Sequence, residues 1–195
     1  MTERDAKIIE LLKCCKVLTR EQIQKVLFKD VHINICLRRL KALTENKDIK
    51  RAYFQLEKHK NVYVYYLDKK PSKRNIIHNL AIADFITDVI LVADVKHIET
   101  NYKIGNIIAD AYIRYQGTNG KDKRLFLEVQ RSNKVTDCVQ KYRNIKDIIL
   151  EEKPNWMTMP RLVVLTDLEH NNEQLKNMKA YYDNLKAKNI RNLIF

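Results

Sequence analysis

Two apolar segments, residues 107–115 and 124–132, are separated by a turn cluster at 116–122 that holds two glycines and an asparagine. That pattern predicts two antiparallel strands joined by a hairpin, and the apolar spacing that follows predicts a helix over 134–150. Asp110 falls on the first strand, and Glu128 and Gln130 fall on the second. Strand side chains alternate with a period of two, so Glu128 and Gln130 share a face. Across a hairpin, Asp110 can share that face too. Ile107, Ile108, Leu125, Phe126 and Leu127 make both strands apolar on both sides, as in a covered sheet. A carboxylate buried there needs a neutralising partner. A divalent cation is one such partner, because Mg²⁺ is usually held by one or two carboxylates plus water and phosphate oxygens. The other reading places Asp110 and Glu128 on a solvated sheet face, which antiparallel sheets permit.

The pattern Asp110 … Glu128-Val129-Gln130, followed by a helix, resembles the PD-(D/E)XK nuclease superfamily. Leu127-Glu-Val-Gln-Arg-Ser132, with Lys141-Tyr142 on the next helix, is similar to the Glu-x-Gln-x-Ser form of CoiA-like nucleases. Taken with the N-terminal half, the chain also resembles the replication-relaxation family of plasmid and phage proteins, which join a winged helix to such a domain. The resemblance implies catalytic positions at Asp110, Glu128 and Gln130. It implies a metal set of Asp110, Glu128 and Glu99, and accessory roles for His78, Ser132 and Lys141. Two positions depart from the family pattern. Ala109 stands where a Pro is usual, and Gln130 replaces the Lys that helps activate water.

The chain carries a net charge of +13 over 195 residues, which predicts a polyanionic partner, most directly double-stranded DNA. With 3 Gly and 3 Pro it is neither a low-complexity nor an all-β chain. No apolar run reaches the ~20 residues needed to span a membrane, and no signal peptide is apparent, which predicts a cytoplasmic protein. Cys14, Cys15, Cys36 and Cys138 form no paired motif, so reduced thiols are expected and a zinc site is not.

Over residues 1–70 three helical patterns precede two strands, the order of a winged helix-turn-helix DNA-binding domain. Thr2 with Asp5, and Thr19 with Gln22, are N-terminal capping signals. The third helix is expected to turn Ile33, Cys36, Leu37, Leu40 and Leu43 inward and Arg38, Arg39 and Lys41 outward. A helix fits the major groove, so His32, Asn34, Arg38, Arg39 and Lys41 are the expected DNA contacts. Lys58, His59, Lys60 and Asn61 at the wing tip are expected on the DNA backbone or in the minor groove. Such domains also dock proteins. Tyr63, Tyr65 and Tyr66 fit either a stacking surface or cross-strand pairing.

Pro71 marks the expected boundary, and residues 71–195 form the second domain. Ser72 is expected to cap a helix over 73–91, followed by a strand at 95–103, a strand at 161–167, a helix at 169–188 and a last strand at 191–195. The fold class is α/β (α+β): a winged helix-turn-helix followed by a restriction-endonuclease-like mixed sheet flanked by helices. The function expected is DNA binding by a plasmid, phage or other mobile-element protein, with cleavage or nicking by Mg²⁺ or Mn²⁺. The alternative is a non-catalytic regulator, or a replication or transfer accessory factor, that uses the nuclease-like fold for DNA binding or homodimerisation.

Overall fold

The computed structural model describes residues 2–57, 60–118, 120–131, 135–169, 174–175, 178–184 and 190–194. They divide into two compact units, Met1–Thr87 and Asp88–Phe195.

In the first unit, α1 (Glu3–Cys15), β1 (Val17–Thr19), α2 (Arg20–Leu27) and α3 (Ile33–Glu45) lead into the hairpin β2 (Lys50–Glu57) and β3 (Lys60–Tyr66). Both expected capping boxes form. Thr2 Oγ1 accepts from Asp5 N while Asp5 accepts from Thr2 N, and Thr19 and Gln22 do the same for α2. These bonds satisfy amides that a helix start leaves without intrahelical acceptors. The three strands form an antiparallel sheet in the order β1-β3-β2. β1 was not expected; three residues are too few to show a period, yet Val17, Leu18 and Thr19 are all buried. Ile8, Leu12, Leu18, Ile23, Phe28, Cys36, Leu40 and Ile49 are almost fully buried among the helices and sheet. This is the winged-helix arrangement.

α4 (Ile76–Val92) starts a turn later than expected, with Asn75 N donating to Ser72 Oγ just before it. Its first half belongs to the first unit. Ile76 and Leu80 pack with Val17, Ala52, Phe54, Val64 and Tyr66. Gln22 Nε2 donates to Leu80 O and to Asp84 Oδ1, at 3.3 and 2.7 Å. The compact division therefore falls after Thr87, inside α4, and not at Pro71. The helix buries Ile82, Ala83 and Ile86 besides its expected stripe, as an all-round apolar helix does.

In the second unit, β4 (Asp94–Ile104), β5 (Ile107–Gln116) and β6 (Asp122–Gln130) form an antiparallel meander. After α5 (Val135–Gln140) and α6 (Ile145–Glu152), β7 (Arg161–Thr166) and β8 (Ala180–Asp183) add in parallel. The five-stranded sheet has the order β4-β5-β6-β7-β8, and α7 (Ile190–Ile194) ends the described chain. Tyr112, Phe126, Leu162 and Val164 pack with Val139, Tyr142, Ile145 and Ile149 of the α5–α6 segment. Leu125, Leu127, Val163 and Leu165, at alternate positions, are fully buried as well. The sheet is thus apolar on both sides, as its sequence predicted. Gly105 joins β4 to β5 at φ +56, and a Cβ there would sit 2.9 Å from Ile148 Cγ2. Only glycine suits both the backbone and the space.

Three expectations fail here. The single helix over 134–150 is two short helices with a turn at 141–144, closed by i→i+3 bonds such as Tyr142 N to Val139 O. The helix over 169–188 is replaced, among the described residues, by β8 and a bridge between Leu175 and Met178. Pairing with β7 over Ala180–Asp183 overrides the helical spacing there. The last strand is the short helix α7, whose Leu193 and Ile194 are buried and whose Ile194 carbonyl accepts from the Tyr115 hydroxyl. Among the described residues, no helix is long and apolar enough to cross a membrane.

Candidate carboxylate site and nucleic-acid face

The β5–β6 ladder runs from Gln116↔Asp122 to Ala111↔Leu127. One further step in that register sets Asp110 opposite Glu128. There the carboxylate replaces the ladder bond: Asp110 Oδ2 accepts from Val129 N at 2.7 Å. Asp110 is half-buried, and Glu128 is 2% exposed.

Glu128 points at the α5–α6 segment. Its Oε1 accepts from the Tyr142 hydroxyl at 2.5 Å and from Lys141 Nζ at 2.7 Å. Lys141 Nζ also donates to Ile108 O at 3.0 Å and stands 5.4 Å from the Tyr142 ring centre. Neighbouring residues on a continuous helix point about 100° apart and do not face one target. The break after Gln140 lets Lys141 and Tyr142 reach one carboxylate oxygen, which is the physical outcome of splitting the expected helix. Gln130, two residues on, shares that side of the strand by its period of two.

Burial first, then repulsion by Asp110, raise the Glu128 carboxyl above its ordinary range, while Lys141 and Tyr142 pull it back only in part. Burial and Glu128 together push the Tyr142 hydroxyl well up, so it stays a donor. The Cys138 thiol is pushed up to about 12, chiefly by burial and then by Glu128. A carboxyl raised on folding holds its proton more tightly when folded. The stability this provides is complete below the ordinary carboxyl range and is lost as pH rises through the folded value. Glu128→Gln, which keeps an acceptor for Tyr142 and Lys141, is therefore expected to match the parent in Tm at acidic pH and exceed it at pH 8. The gain is roughly 4–8 °C per kcal/mol of relieved desolvation. Paired thermal melts across pH check this; a variant less stable at pH 8 contradicts it.

The other expected site members fall as follows. Glu99, on β4 opposite Tyr112, is half exposed and lies 3.6 Å from His97. Among the described residues, no group of three His, Cys, Asp or Glu side chains stands together as metal ligands, so Glu99 is not gathered with Asp110 and Glu128. His78 is half-buried on α4, in the first unit, whereas the carboxylates belong to the second. Ser132 lies outside the described residues. Tyr142 and Cys138 were legible only as apolar positions of a helix. The adjacent Lys141-Tyr142 pair was their one sequence signal.

On α3, Cys36, Leu40 and Leu43 face inward, while Asn34, Arg38 and Lys41 are exposed. His32 caps the helix through Nδ1, which accepts from Asn34 N at 3.3 Å. Lys41 stands 3.7 Å from Glu45 on the exposed face. Two expectations are corrected. Ile33 and Leu37 are 36% and 42% exposed rather than inward, so apolar atoms share the outer face. Arg39 is not an outward DNA contact. Its Nε donates to Asp5 Oδ1 at 3.0 Å and its Nη2 to Asp5 Oδ2, tying α3 to α1. Burial opposes ionisation of Asp5, but Arg39 and Thr2 outweigh it and hold the carboxyl below its ordinary value. At the wing, Tyr53 and Tyr63 are cross-strand partners with ring centres 5.3 Å apart, and Tyr65 is buried. Lys60 opens β3; Lys58 and His59 lie outside the described residues. None of the four cysteines is in a disulfide, and Cys15, Cys36 and Cys138 are buried.

No curated protein and no solved structure matches this chain. Residues 9–73, from within α1 through both strands of the wing to the turn before α4, match the replication-relaxation family model, so the family expected from the sequence is the one this segment carries.

Proposed function

We propose that the chain is a DNA-binding protein of a plasmid, phage or other mobile element, working in the cytoplasm. Its first unit holds duplex DNA, and its second acts on DNA with the Asp110–Glu128 pair. The family match over residues 9–73 supports a role in the replication or transfer of such an element. The net charge of +13 and the exposed Asn34, Arg38 and Lys41 of α3 support the DNA partner.

One observation carries the catalytic part. A nearly fully buried glutamate stands opposite an aspartate on the next strand, with a lysine ammonium against it. Carboxylates kept at such cost mark functional sites more often than structural ones. The donor set suits a hard divalent cation, since two carboxylates satisfy the protein's share of a Mg²⁺ or Mn²⁺ shell. When bound, that ion supplies Lewis-acid polarisation of a phosphate and a more acidic water. Asp110 and Glu128 would hold it. Tyr142 orients Glu128, and Lys141 brings positive charge to the carboxylates from the turn after α5. Lys141 thereby supplies the positive charge that a neutral Gln130 does not.

With Mn²⁺ present, the parent is expected to nick or cleave duplex DNA and Asp110→Ala to have no activity. Equal activity in the two removes this site. The second reading, a non-catalytic regulator or accessory factor, draws on the neutral Gln130 standing where the nuclease pattern has a lysine. DNA binding without cleavage in Mg²⁺, Mn²⁺ and Ca²⁺ would select it. Both readings require phosphate contacts. Affinity for duplex DNA is expected to fall linearly with salt on logarithmic axes, and Arg38→Ala or Lys41→Ala to lower the slope by about one each. Unchanged slopes would take α3 off the DNA.

A further inference from the structure

On the sheet of the second unit, His97, Arg114 and Arg124 stand in one row across β4, β5 and β6. Arg114 and Arg124 are direct cross-strand partners. Like charges placed so are destabilising, so a row of this kind calls for a counter-charge. The side chain of Arg124 is 9% exposed, and its Nη2 lies 3.7 Å from a half-exposed Asp122 carboxylate. Even so, Arg124 Nε, Arg124 Nη1 and Arg114 Nε are buried N–H donors without an acceptor. Trp156 covers Arg124 at 5.1 Å and stacks on Tyr112 at 5.3 Å and 6°. An indole face attracts a cation along its normal and does not accept the in-plane N–H bonds of a guanidinium. Buried polar groups left in this state are rare, and buried charge without compensation is costly.

We infer that Arg114 and Arg124, capped by Trp156, form a binding site for a phosphate group of a nucleic-acid strand. Two planar guanidiniums side by side offer the forked donors that match phosphate oxygens. Arg124, Phe126 and Glu128 occupy alternate positions of β6, so the arginines share a face with the carboxylate site, roughly 13 Å away along the strand. Assigning the phosphate to nucleic acid rests on the proposed function. The anion site itself needs no metal and no cleavage, so the two readings fail independently.

Trp156 is the chain's one tryptophan, so its emission reports on this site alone. The full-length protein is titrated, without divalent metal, with inorganic phosphate, with chloride at equal ionic strength, and with one short single-stranded oligonucleotide with and without a 5′-phosphate. The expected result is a saturable change with phosphate and oligonucleotide that chloride does not reproduce. Affinity should drop at least about tenfold in Arg114→Gln, the less buried partner, and in Arg124→Gln if its circular dichroism matches the parent. Tighter binding of the 5′-phosphorylated strand assigns the site to a strand end, and equal Arg114-dependent binding assigns it to a backbone phosphate. A response to inorganic phosphate alone overturns the nucleic-acid assignment. No response beyond chloride, or the same response in Arg114→Gln as in the parent, overturns the site.

Discussion

Arg39→Ala is expected to lower the stability of the first unit by about 3 kcal/mol, the lower end of the ~3–5 kcal/mol seen when one partner of a buried pair is removed. Asp5 is fully buried, whereas the Arg39 side chain is 36% exposed, which sets the lower end. Asp5 also serves the start of α1 by accepting from Thr2 N. Removing Arg39 therefore strands a buried carboxylate that holds both a helix cap and the α1–α3 contact. Because folding depresses the Asp5 carboxyl, its contribution is present above the ordinary Asp range and is lost as pH falls through the folded value. The penalty of Arg39→Ala should accordingly shrink in acid, where Asp5 is protonated in either protein. Denaturant unfolding at pH 7 and at low pH measures it. If Arg39→Ala melts like the parent and weakens only DNA binding, Arg39 reads DNA and the structural assignment is wrong. Arg38→Ala, one residue away on the exposed side, should leave stability within about 0.5 kcal/mol.

Lys141→Met is expected to lower Mn²⁺-dependent cleavage by roughly 10²–10³, the size of effect found when one preorganised donor is removed from a site of developing charge. Gln130→Ala is expected to change it only a few-fold. The nuclease pattern that this stretch resembles puts a lysine at position 130, whereas the ammonium that meets Glu128 among the described residues is that of Lys141, 2.7 Å away. Lys141→Met also leaves the Asp110–Glu128 repulsion uncompensated, so the variant must be shown to fold. Lys141→Arg, which keeps the charge, should recover part of the rate. A Gln130→Ala defect as large as that of Lys141→Met would return the role to the β6 position.

The contrast between these two sites shows how much was legible in advance. The β5–β6 hairpin was readable because two apolar runs flank a turn cluster, and the face shared by Glu128 and Gln130 followed from the strand period. Both capping boxes were readable because their partners lie three residues apart. The partner of Arg39 lies 34 residues away, and no periodic pattern carries that information. Helical spacing assigned Leu37 inward and Arg39 outward. A half-buried arginine on the flank of α3, fixed by Asp5, reversed both. The segments after residue 133 misled for a related reason. Apolar residues three or four apart fit a continuous helix or a pair of helices alike, and pairing with a neighbouring strand can override that spacing, as β8 beside β7 does.

By itself the sequence determined the local elements whose signals are close in the chain: the capped helices, the winged-helix order, the apolar strands and the placing of Asp110 and Glu128 on neighbouring ones. Only the tertiary structure decided where α5 breaks, so that Lys141 and Tyr142 converge on Glu128, and that Arg39 serves Asp5. The physical reason is that burying a charge is tolerable only where an opposite charge or donor meets it, and that meeting is settled by packing between distant segments.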